Sequence, residues 1–261
     1  DDPAARRLVA VAPFGVPEDP PARGDAPLRR ELGLASGAPL ALFWGGLWDW
    51  MDPALAVAAV AALRRDGFDL HLAFLAGARP GGDLMRAAAD GARRAVQAHG
   101  LADRVHFVGR WIPYGERGAV LLDADVAVTA HRPSLEAELA FRTRLLDCLW
   151  ARLPAACTRG DALAAEAERE GWGAAAEPGD AEGLALALRR LLDPAVREQA
   201  RAAAAAAADR YRWSRSVDAV LDVLERPAPP RPLPFAGELA GGRASEIAAA
   251  FAANVWERLR R

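Results

Sequence analysis

Short apolar runs alternate with longer amphipathic segments along most of the chain. Seven runs have the length and apolar character of strands that are buried on both faces of a sheet. They lie at residues 8–12, 40–44, 70–75, 105–108, 126–129, 155–158 and 173–176. Segments with helical spacing of apolar residues lie at 54–65, 83–99, 115–122, 139–152, 162–170, 181–192, 194–211 and 214–225. This alternation predicts an α/β fold with a Rossmann-like parallel sheet and helices on both faces.

The pattern changes at the end of the last of these helical segments. Residues 226–242 are rich in Pro and Gly, which predicts an extended linker. Residues 243–261 repeat apolar side chains at intervals of four from Ile247 to Leu259, which predicts a C-terminal amphipathic helix. That helix either covers the sheet of its own domain or packs on another domain. We therefore predict one Rossmann-like domain at residues 1–225, followed by the linker and the helix.

Composition narrows the class of protein. The chain has 261 residues, of which 52% are hydrophobic, and this is enough for a substantial core. No apolar run reaches the ~20 residues that a membrane-spanning helix needs. A formal net charge of −2 argues against nucleic acid as a partner. All 33 basic residues are Arg, so a phosphate would be bound by guanidinium groups, backbone amides or helix N-termini.

Cysteine usage indicates the cellular compartment of the protein, and the start of the chain indicates a domain boundary. Cys148 and Cys157 form neither a CxxC motif nor a cluster with His, so we expect a reduced, cytoplasmic protein without a bound metal. The chain begins at Asp1 without an initiator Met or a signal-peptide pattern. We expect this start to be a domain boundary.

Two glycines follow the predicted strand at residues 40–44. Gly45 and Gly46 are succeeded by Trp48 and Asp49, and a predicted helix begins soon afterwards. Open parallel sheets bind ligands beyond the carboxyl ends of their strands, where glycines let the backbone approach a phosphate closely. The alternative is a tight turn with packing tryptophans. The functional interpretation places all four residues in a nucleotide-binding site.

A second loop follows the predicted strand at residues 105–108. Arg110 and Trp111 lie at its beginning, where they could flank or stack on a nucleobase or a ribose. The alternative is that Trp111 caps the core. The residues themselves favour neither interpretation.

The third loop follows the predicted strand at residues 126–129 and contains His131. Arg142, Thr143 and Arg144 then stand in the first turns of a predicted helix, where guanidinium groups add to the positive end of the helix dipole and suit a diphosphate. Asp147 shares a face with Thr143 and Arg144 and could accept hydrogen bonds from a ribose diol. The alternative is a surface ion pair between Arg144 and Asp147, worth less than about 1 kcal/mol.

Several short motifs follow one another in a recognisable order. They are Pro13-Phe14-Gly15-Val16, Val105-His106-Phe107-Val108-Gly109, Ala124-Asp125-Val126-Ala127-Val128, Pro133-Ser134, Leu153-Pro154 and Glu177-Pro178-Gly179-Asp180. Their order and spacing resemble the donor-binding domain of family 4 glycosyltransferases, which is the C-terminal half of a GT-B fold. The resemblance covers roughly residues 9–225.

The resemblance implies transfer of a sugar from a UDP-, GDP- or dTDP-linked donor without a cofactor or a bound metal. It also implies an acceptor-binding domain N-terminal to Asp1, so the chain alone should bind a nucleotide without transferring sugar. A cell-envelope glycan or a glycolipid is the acceptor that the family implies. The full-length protein is then expected in the cytoplasm, and a peripheral association with the inner face of the membrane stays open.

The resemblance also suggests residue roles, and this sequence departs from the family pattern at two points. Retaining members have two acidic residues eight apart, of which the second contacts the ribose and corresponds to Asp147. Leu139 stands at the first position, and Glu138 is the neighbour that could replace it near the donor sugar as the catalytic residue. The family's basic pair in the first loop is also missing, so Arg142 and Arg144 would supply that charge. These departures indicate a divergent branch.

Two other functions stay open on the sequence alone. One is a nucleotide-sugar epimerase or a phosphorylase-like enzyme on the same fold, because fold alone does not decide function. The other is a non-catalytic interaction module whose site has decayed, which the missing acidic and basic residues suggest.

Overall fold

The computed structural model describes residues 11–22, 24, 27–75 and 87–225. Contacts divide the chain into one unit at Asp1–Ala219 and a second at Val220–Arg261. The predicted linker at residues 226–242 and the predicted helix at residues 243–261 lie outside the described residues, as does most of the predicted strand at residues 8–12. Within the described ranges, no helix is both long and apolar enough to cross a lipid bilayer.

Six short strands form the sheet at the centre of the first unit. They are β1 (Leu40–Phe43), β2 (His71–Leu75), β3 (Val105–Val108), β4 (Val126–Thr129), β5 (Ala155–Thr158) and β6 (Gly173–Ala176). Every neighbouring pair is parallel, and the strand order is β3-β2-β1-β4-β5-β6. The predicted Rossmann-like parallel sheet is confirmed. The direction of winding reverses between β1 and β4, which is where such sheets commonly bind ligands.

The described residues form ten α-helices. They are α1 (Pro27–Glu31), α2 (Pro53–Arg65), α3 (Ala87–His99), α4 (Arg117–Asp123), α5 (Leu135–Leu139), α6 (Thr143–Trp150), α7 (Ala162–Glu170), α8 (Ala181–Leu192), α9 (Pro194–Ala208) and α10 (Trp213–Leu224). Single 3₁₀ turns at Tyr114–Glu116 and Asp209–Tyr211 precede α4 and follow α9. Short polar side chains begin several of the helices: Asp52, Ser134 and Asp161 each accept a hydrogen bond from a backbone amide in the first turn.

Alternate strand residues enter two separate layers of the core. In β1, Ala41 and Phe43 pack on the side of α2, α3 and α8, whereas Leu40 and Leu42 pack on the side of α4, α6 and α7. Successive side chains of a strand point to opposite faces, so a continuous apolar run fills both layers. The sheet is therefore covered by helices on both faces, as predicted.

The prediction of one continuous helix at residues 139–152 is wrong. The chain forms α5 at Leu135–Leu139 and α6 at Thr143–Trp150, with an extended residue, Ala140, after α5. The break turns Arg142 inward, where its guanidinium binds both carboxylate oxygens of Glu136 at 2.8 and 3.0 Å. This contact needs the chain to bend between α5 and α6, and helical spacing gives no sign of it.

Helix α1 has no counterpart among the predicted segments. Its five residues are too few to show a periodic pattern. Arg29 holds α1 in place, because its side chain donates to the carbonyl oxygen of Asp123 at 2.8 Å and to Oδ2 of Asp125 at 2.8 Å. The helix thus closes the edge of the sheet where β1 and β4 begin.

Candidate functional site

A cleft of about 380 Å³ opens at the carboxyl ends of β1, β2 and β3. Eight of the predicted site residues line it: Gly45, Gly46, Trp48, Arg110, Trp111, Thr143, Arg144 and Asp147. Five further residues complete the lining: Trp44, Leu75, Ile112, Tyr114 and Arg117. Three loops that are distant in sequence therefore meet at one place, beside the point where the sheet reverses its winding.

The glycine loop after β1 allows a guanidinium to come close to the backbone. Gly45 adopts a left-handed conformation with φ of +83°, which residues with a side chain rarely adopt. A Cβ atom at Gly45 would lie 3.6 Å from the guanidinium atoms of Arg144. A Cβ atom at Gly46 would lie 3.7–3.8 Å from the ring of Trp48. The loop is thus shaped around Arg144 and Trp48.

Arg144 places a fixed positive charge beneath this loop. Its Nη1 donates to the carbonyl oxygen of Trp44 at 2.6 Å, and its Nη2 donates to that of Gly46 at 3.4 Å. Burial lowers the pKa of Arg144 to about 10, so the side chain stays charged at neutral pH. It stands in the first turn of α6, where the helix dipole adds to its attraction for an anion.

Asp147 lies one turn further along α6, with its carboxylate facing the cleft. Trp44 Nε1 donates to Oδ2 at 3.0 Å, and Arg117 Nε donates to Oδ1 at 3.3 Å. Burial raises the pKa of Asp147, while the hydrogen bond from Trp44 and the charge of Arg117 act in the opposite direction. The ionic partner of Asp147 is thus Arg117, and the surface ion pair between Arg144 and Asp147 is not the arrangement observed.

The loop after β3 presents aromatic rings to the cleft. Trp111 is 52% exposed, so it does not cap the core, and Tyr114 is 73% exposed. Arg110 is held between two carboxylates, with Nε donating to Glu31 at 2.9 Å and Nη1 donating to Glu116 at 3.0 Å. This wall of the cleft therefore combines open ring faces with a guanidinium whose charge is already balanced.

Two predicted site residues are buried behind the cleft. The backbone amide of His131 donates to Oγ1 of Thr158 at 3.0 Å, and its ring Nε2 has no hydrogen-bond partner among the described residues. Burial lowers the pKa of His131 to about 3, so its ring is neutral at physiological pH. Arg142 is occupied by Glu136 and lies 4.0 Å from a carboxylate oxygen of Asp161. Neither side chain lines the cleft.

The last two predicted site residues, Asp49 and Glu138, lie outside the cleft. Asp49 accepts a hydrogen bond from the amide of Ala88 at 3.2 Å, which connects the glycine loop to the start of α3. Beside it, Trp48 stacks on Trp50 with ring centroids 5.4 Å apart. Glu138 is exposed on α5, and its carboxylate makes no hydrogen bond or ion pair with the described residues. Neither Asp49 nor Glu138 lines the cleft.

Sequence reasoning missed five lining residues, of which Trp44 and Arg117 make the contacts to Asp147. The sequence predicts Trp44 as the last residue of the strand, and in the structure it directly follows β1. Either position lies at the carboxyl edge of the sheet, which is a signal in the sequence for a residue that lines the cleft. Arg117 begins an ordinary amphipathic helix, α4, where an arginine is most often solvated. No sequence pattern distinguishes it from such surface residues.

The family model described as glycosyl transferases group 1 matches residues 38–194. The chain belongs to the group 1 glycosyltransferase family. The matched region begins just before β1 and ends at the start of α9, so it includes all six strands and every residue that lines the cleft. A search of curated protein sequences gave no match.

Solved structures of several other proteins share the fold. Sucrose-phosphate synthase from Thermosynechococcus elongatus is similar with a TM-score of 0.61 and 24% identity, over 82% of this chain and 51% of that one. HepE of Anabaena in complex with UDP-glucose is similar with a TM-score of 0.63 and 16% identity, over 76% of this chain and 51% of that one. This chain thus spans about half the length of both.

A third similar structure is itself a single domain. It is the C-terminal domain of a group 1 family glycosyltransferase, LpcC, from Francisella tularensis. The TM-score is 0.55 and the identity is 16%, over 75% of this chain and 95% of that one. The three structures share the α/β fold with this chain.

Proposed function

We propose that this chain is the donor-binding domain of a GT-B glycosyltransferase of the family 4 type, on a divergent branch, and that the cleft binds a nucleotide-diphosphate sugar. The observation on which the proposal depends is the meeting of Arg144, Asp147 and the glycine loop at the carboxyl edge of the sheet. Membership of the group 1 family supports it. HepE, which shares the fold, was solved with UDP-glucose, and this supports a UDP-linked donor as the first candidate.

The diphosphate binds at the glycine loop and the start of α6. Arg144 supplies the charge there, and its guanidinium is already oriented by two backbone carbonyls, so little side-chain entropy is lost on binding. The same charge would stabilise the diphosphate that leaves during sugar transfer. Arg142 contributes little to this charge, because its side chain is paired with Glu136 and does not line the cleft.

The nucleoside occupies the remainder of the cleft. Asp147 accepts hydrogen bonds from the ribose hydroxyl groups, since its carboxylate is fixed and faces the opening. The exposed ring of Trp111, beside Arg110, provides a surface for the base. The wall opposite is formed by Trp48 and Gly46.

Sugar transfer itself requires a longer enzyme in this proposal. The chain spans about half the length of the similar glycosyltransferases, and the acceptor would bind to the other half. Glu138 is exposed on α5 and free to face the donor sugar across the interface between the halves. Hexosyl transfer to a cell-envelope glycan or a glycolipid is the reaction we propose for the whole enzyme.

Catalysis without a bound metal is a further part of the proposal. The sequence Asp123-Ala124-Asp125 matches a DxD metal motif by its letters. Asp123 and Asp125 lie before β4, at the edge of the sheet opposite the cleft, and both are bound by Arg29. Arg144 and the dipole of α6 are then the groups that balance the charge of the diphosphate.

The test is a calorimetric titration of the chain with UDP, GDP and dTDP, with AMP as the control ligand. We expect one diphosphate to bind, and we expect Arg144→Ala and Asp147→Ala to weaken its binding by about tenfold or more. Arg64→Ala is the matched control, because Arg64 forms an exposed ion pair with Asp103 far from the cleft. Equal binding by all four proteins, or no binding to the chain or to the full-length enzyme, would contradict the proposal.

A product assay distinguishes the proposed transferase from an epimerase. The full-length enzyme is incubated with the donor that binds, with and without acceptor. Release of nucleoside diphosphate that depends on the acceptor supports transfer, whereas conversion of the donor without an acceptor supports epimerisation. Detectable sugar transfer by the 261-residue chain alone would contradict the proposed division of the enzyme.

A further inference from the structure

Arg117 is a buried cation at the edge of the cleft. It begins α4, and its guanidinium packs against two aromatic rings, with Cζ 3.6 Å from the ring centroid of Tyr114 and 4.3 Å from that of Trp150. The side chain is only 10% exposed. Because the two rings cover it, the guanidinium has little surface left for direct contact with a ligand.

The packing that surrounds Arg117 is tight. A Cβ atom at Gly118 would lie 2.5 Å from Cβ of Pro21 and 3.0 Å from the ring of Trp150, so glycine at this position lets both residues approach α4 closely. Trp150 is held at its other end, where Nε1 donates to the carbonyl oxygen of Asp19 at 2.6 Å. Arg117 is thus confined to one orientation, and loss of its charge would not by itself remove the rings.

The polar edge of Arg117 is directed at Asp147. Its Nε donates to Oδ1 of Asp147 at 3.3 Å, while Trp44 Nε1 donates to Oδ2 at 3.0 Å. Each carboxylate oxygen therefore has one fixed donor, and the plane of the carboxylate is set by both. An ionised carboxylate has about four acceptor sites, so each oxygen retains one for a ligand in the cleft.

A purely structural role accounts poorly for this ion pair. Removing two charges from water costs several kcal/mol per ion, and a buried pair is often no more stabilising than apolar residues of the same size. A guanidinium also gains cation–π contacts with Tyr114 and Trp150 and a hydrogen bond from Nη1 to the carbonyl oxygen of Tyr114 at 3.4 Å. None of these contacts requires a carboxylate partner, and the only carboxylate that Arg117 contacts among the described residues faces the cleft.

We propose that Arg117 is a positioning residue: it holds the Asp147 carboxylate in the orientation that accepts two hydrogen bonds from the adjacent hydroxyl groups of a ribose. The role rests on the proposed function and narrows it. A ligand with both hydroxyl groups satisfies both free acceptor sites, whereas a 2′-deoxyribose satisfies one. The cleft is therefore assigned to ribonucleoside diphosphates rather than deoxyribonucleoside diphosphates.

The experiment compares UDP with 2′-deoxy-UDP by calorimetry at a series of pH values from acidic to alkaline, because burial raises the pKa of the Asp147 carboxyl. The proteins are wild type, Arg117→Met, Arg117→Lys and the exposed control Arg64→Met. Methionine keeps the unbranched stem of Arg117 about as far as the position of Nε but lacks the guanidinium group and its charge. Lysine keeps a charge within reach of Asp147. Thermal melting of each protein measures whether folding is affected.

We expect wild type to prefer UDP over 2′-deoxy-UDP. In Arg117→Met, the UDP affinity at the acidic end of the range should fall by about tenfold for each unit by which the pKa of Asp147 rises. This affinity should recover as the pH increases. Arg117→Lys should retain most of the wild-type affinity, and Arg64→Met should retain all of it. In the ligand-free protein, ¹³C NMR of the Asp147 carboxyl should show a higher pKa in Arg117→Met than in wild type.

Three results would overturn this role. One is an unchanged Asp147 pKa in Arg117→Met. Another is a UDP affinity that is the same in Arg117→Met and wild type, or is reduced equally at every pH and equally for both nucleotides. The third is an absence of nucleotide binding by wild type and by the full-length enzyme, which would overturn the proposed function as well. The first two results leave the proposed function intact.

Discussion

Arg144 Nη1 lies 2.6 Å from the carbonyl oxygen of Trp44, so the first turn of α6 is hydrogen-bonded to the loop that follows β1. These two elements meet across the point where the sheet reverses its winding. The hydrogen bond fixes a guanidinium directly beneath the glycine loop, at a place where an anion would also meet the start of a helix. The shape of the loop and the position of the charge therefore depend on each other.

Gly45→Ala should disturb both the shape of the glycine loop and the position of the Arg144 guanidinium. The φ of +83° at Gly45 disfavours alanine by about 1–2 kcal/mol, so the loop would have to change its backbone conformation beside the guanidinium of Arg144, which lies 3.6 Å from the position of the added methyl group. We expect a lower free energy of unfolding in urea together with weaker UDP binding. Gly46→Ala is the matched control, since Gly46 lacks a positive φ and a methyl group there meets only ordinary contacts. Equal effects of the two substitutions would contradict this explanation.

The sheet was predictable because its strands are buried on both faces. Continuous apolar runs such as 126–129 and 155–158 give strands with the same bounds in the structure. The general location of the cleft was predictable for a related reason, since ligands of parallel sheets bind at carboxyl ends of strands. From that rule, the sequence predicts Gly45, Arg144 and Asp147 as site residues, and the fold brings them together at one opening.

The contacts within the site depend on tertiary packing, which the spacing of residues does not encode. Arg142 and Arg144 look equivalent in sequence, but the bend before α6 turns the first towards Glu136 and the second towards the glycine loop. Arg117 looks like a solvated helix residue, but its side chain is buried against the rings of Tyr114 and Trp150 and paired with Asp147. Such distinctions follow from which side chains meet across elements that are far apart in sequence.

His71 and His106 form a half-buried pair whose protonation should limit stability in acid. Nδ1 of His71 lies 3.0 Å from Nε2 of His106 on neighbouring strands. Burial is the largest cause that lowers the pKa of each ring below its usual value of 6.5. The unfolded chain therefore binds protons more readily, so the free energy of unfolding should fall as the pH drops from about 6.5 towards the lowered values.

Replacing both rings tests this expectation. His71→Gln combined with His106→Gln should reduce the slope of unfolding free energy against pH just below pH 6.5, as measured by urea denaturation. A smaller slope should remain, because burial of His131 makes its own contribution down to a pKa of about 3. An unaltered slope in the double variant would refute the explanation.

Trp111 offers a test of where the nucleobase binds. Stacking of a base on an aromatic side chain contributes about 1–3 kcal/mol, so Trp111→Ala should weaken UDP binding measurably. Trp111→Phe should retain most of the affinity. Because the side chain is 52% exposed, neither substitution should lower the melting temperature appreciably. If Trp111→Ala binds UDP as wild type does while Arg144→Ala does not, the base lies against another wall, and Tyr114 becomes the next residue to replace.

Replacing Asp125 distinguishes a structural role of its carboxylate from a role in metal binding. Its Oδ2 accepts from Arg29 at 2.8 Å and from the amide of Leu40 at 2.9 Å, and its Oδ1 accepts from Arg197 at 2.9 Å. Asp125→Asn removes a charge that faces two guanidinium groups, so we expect the free energy of unfolding to fall by about 2 kcal/mol or more. UDP affinity should stay unchanged, with or without Mn²⁺, because these contacts lie at the amino ends of β1 and β4, opposite the cleft. Binding that requires Mn²⁺ and disappears in Asp125→Asn, with stability preserved, would instead identify the Asp123-Ala124-Asp125 sequence as a metal site and contradict the proposed metal-independent chemistry.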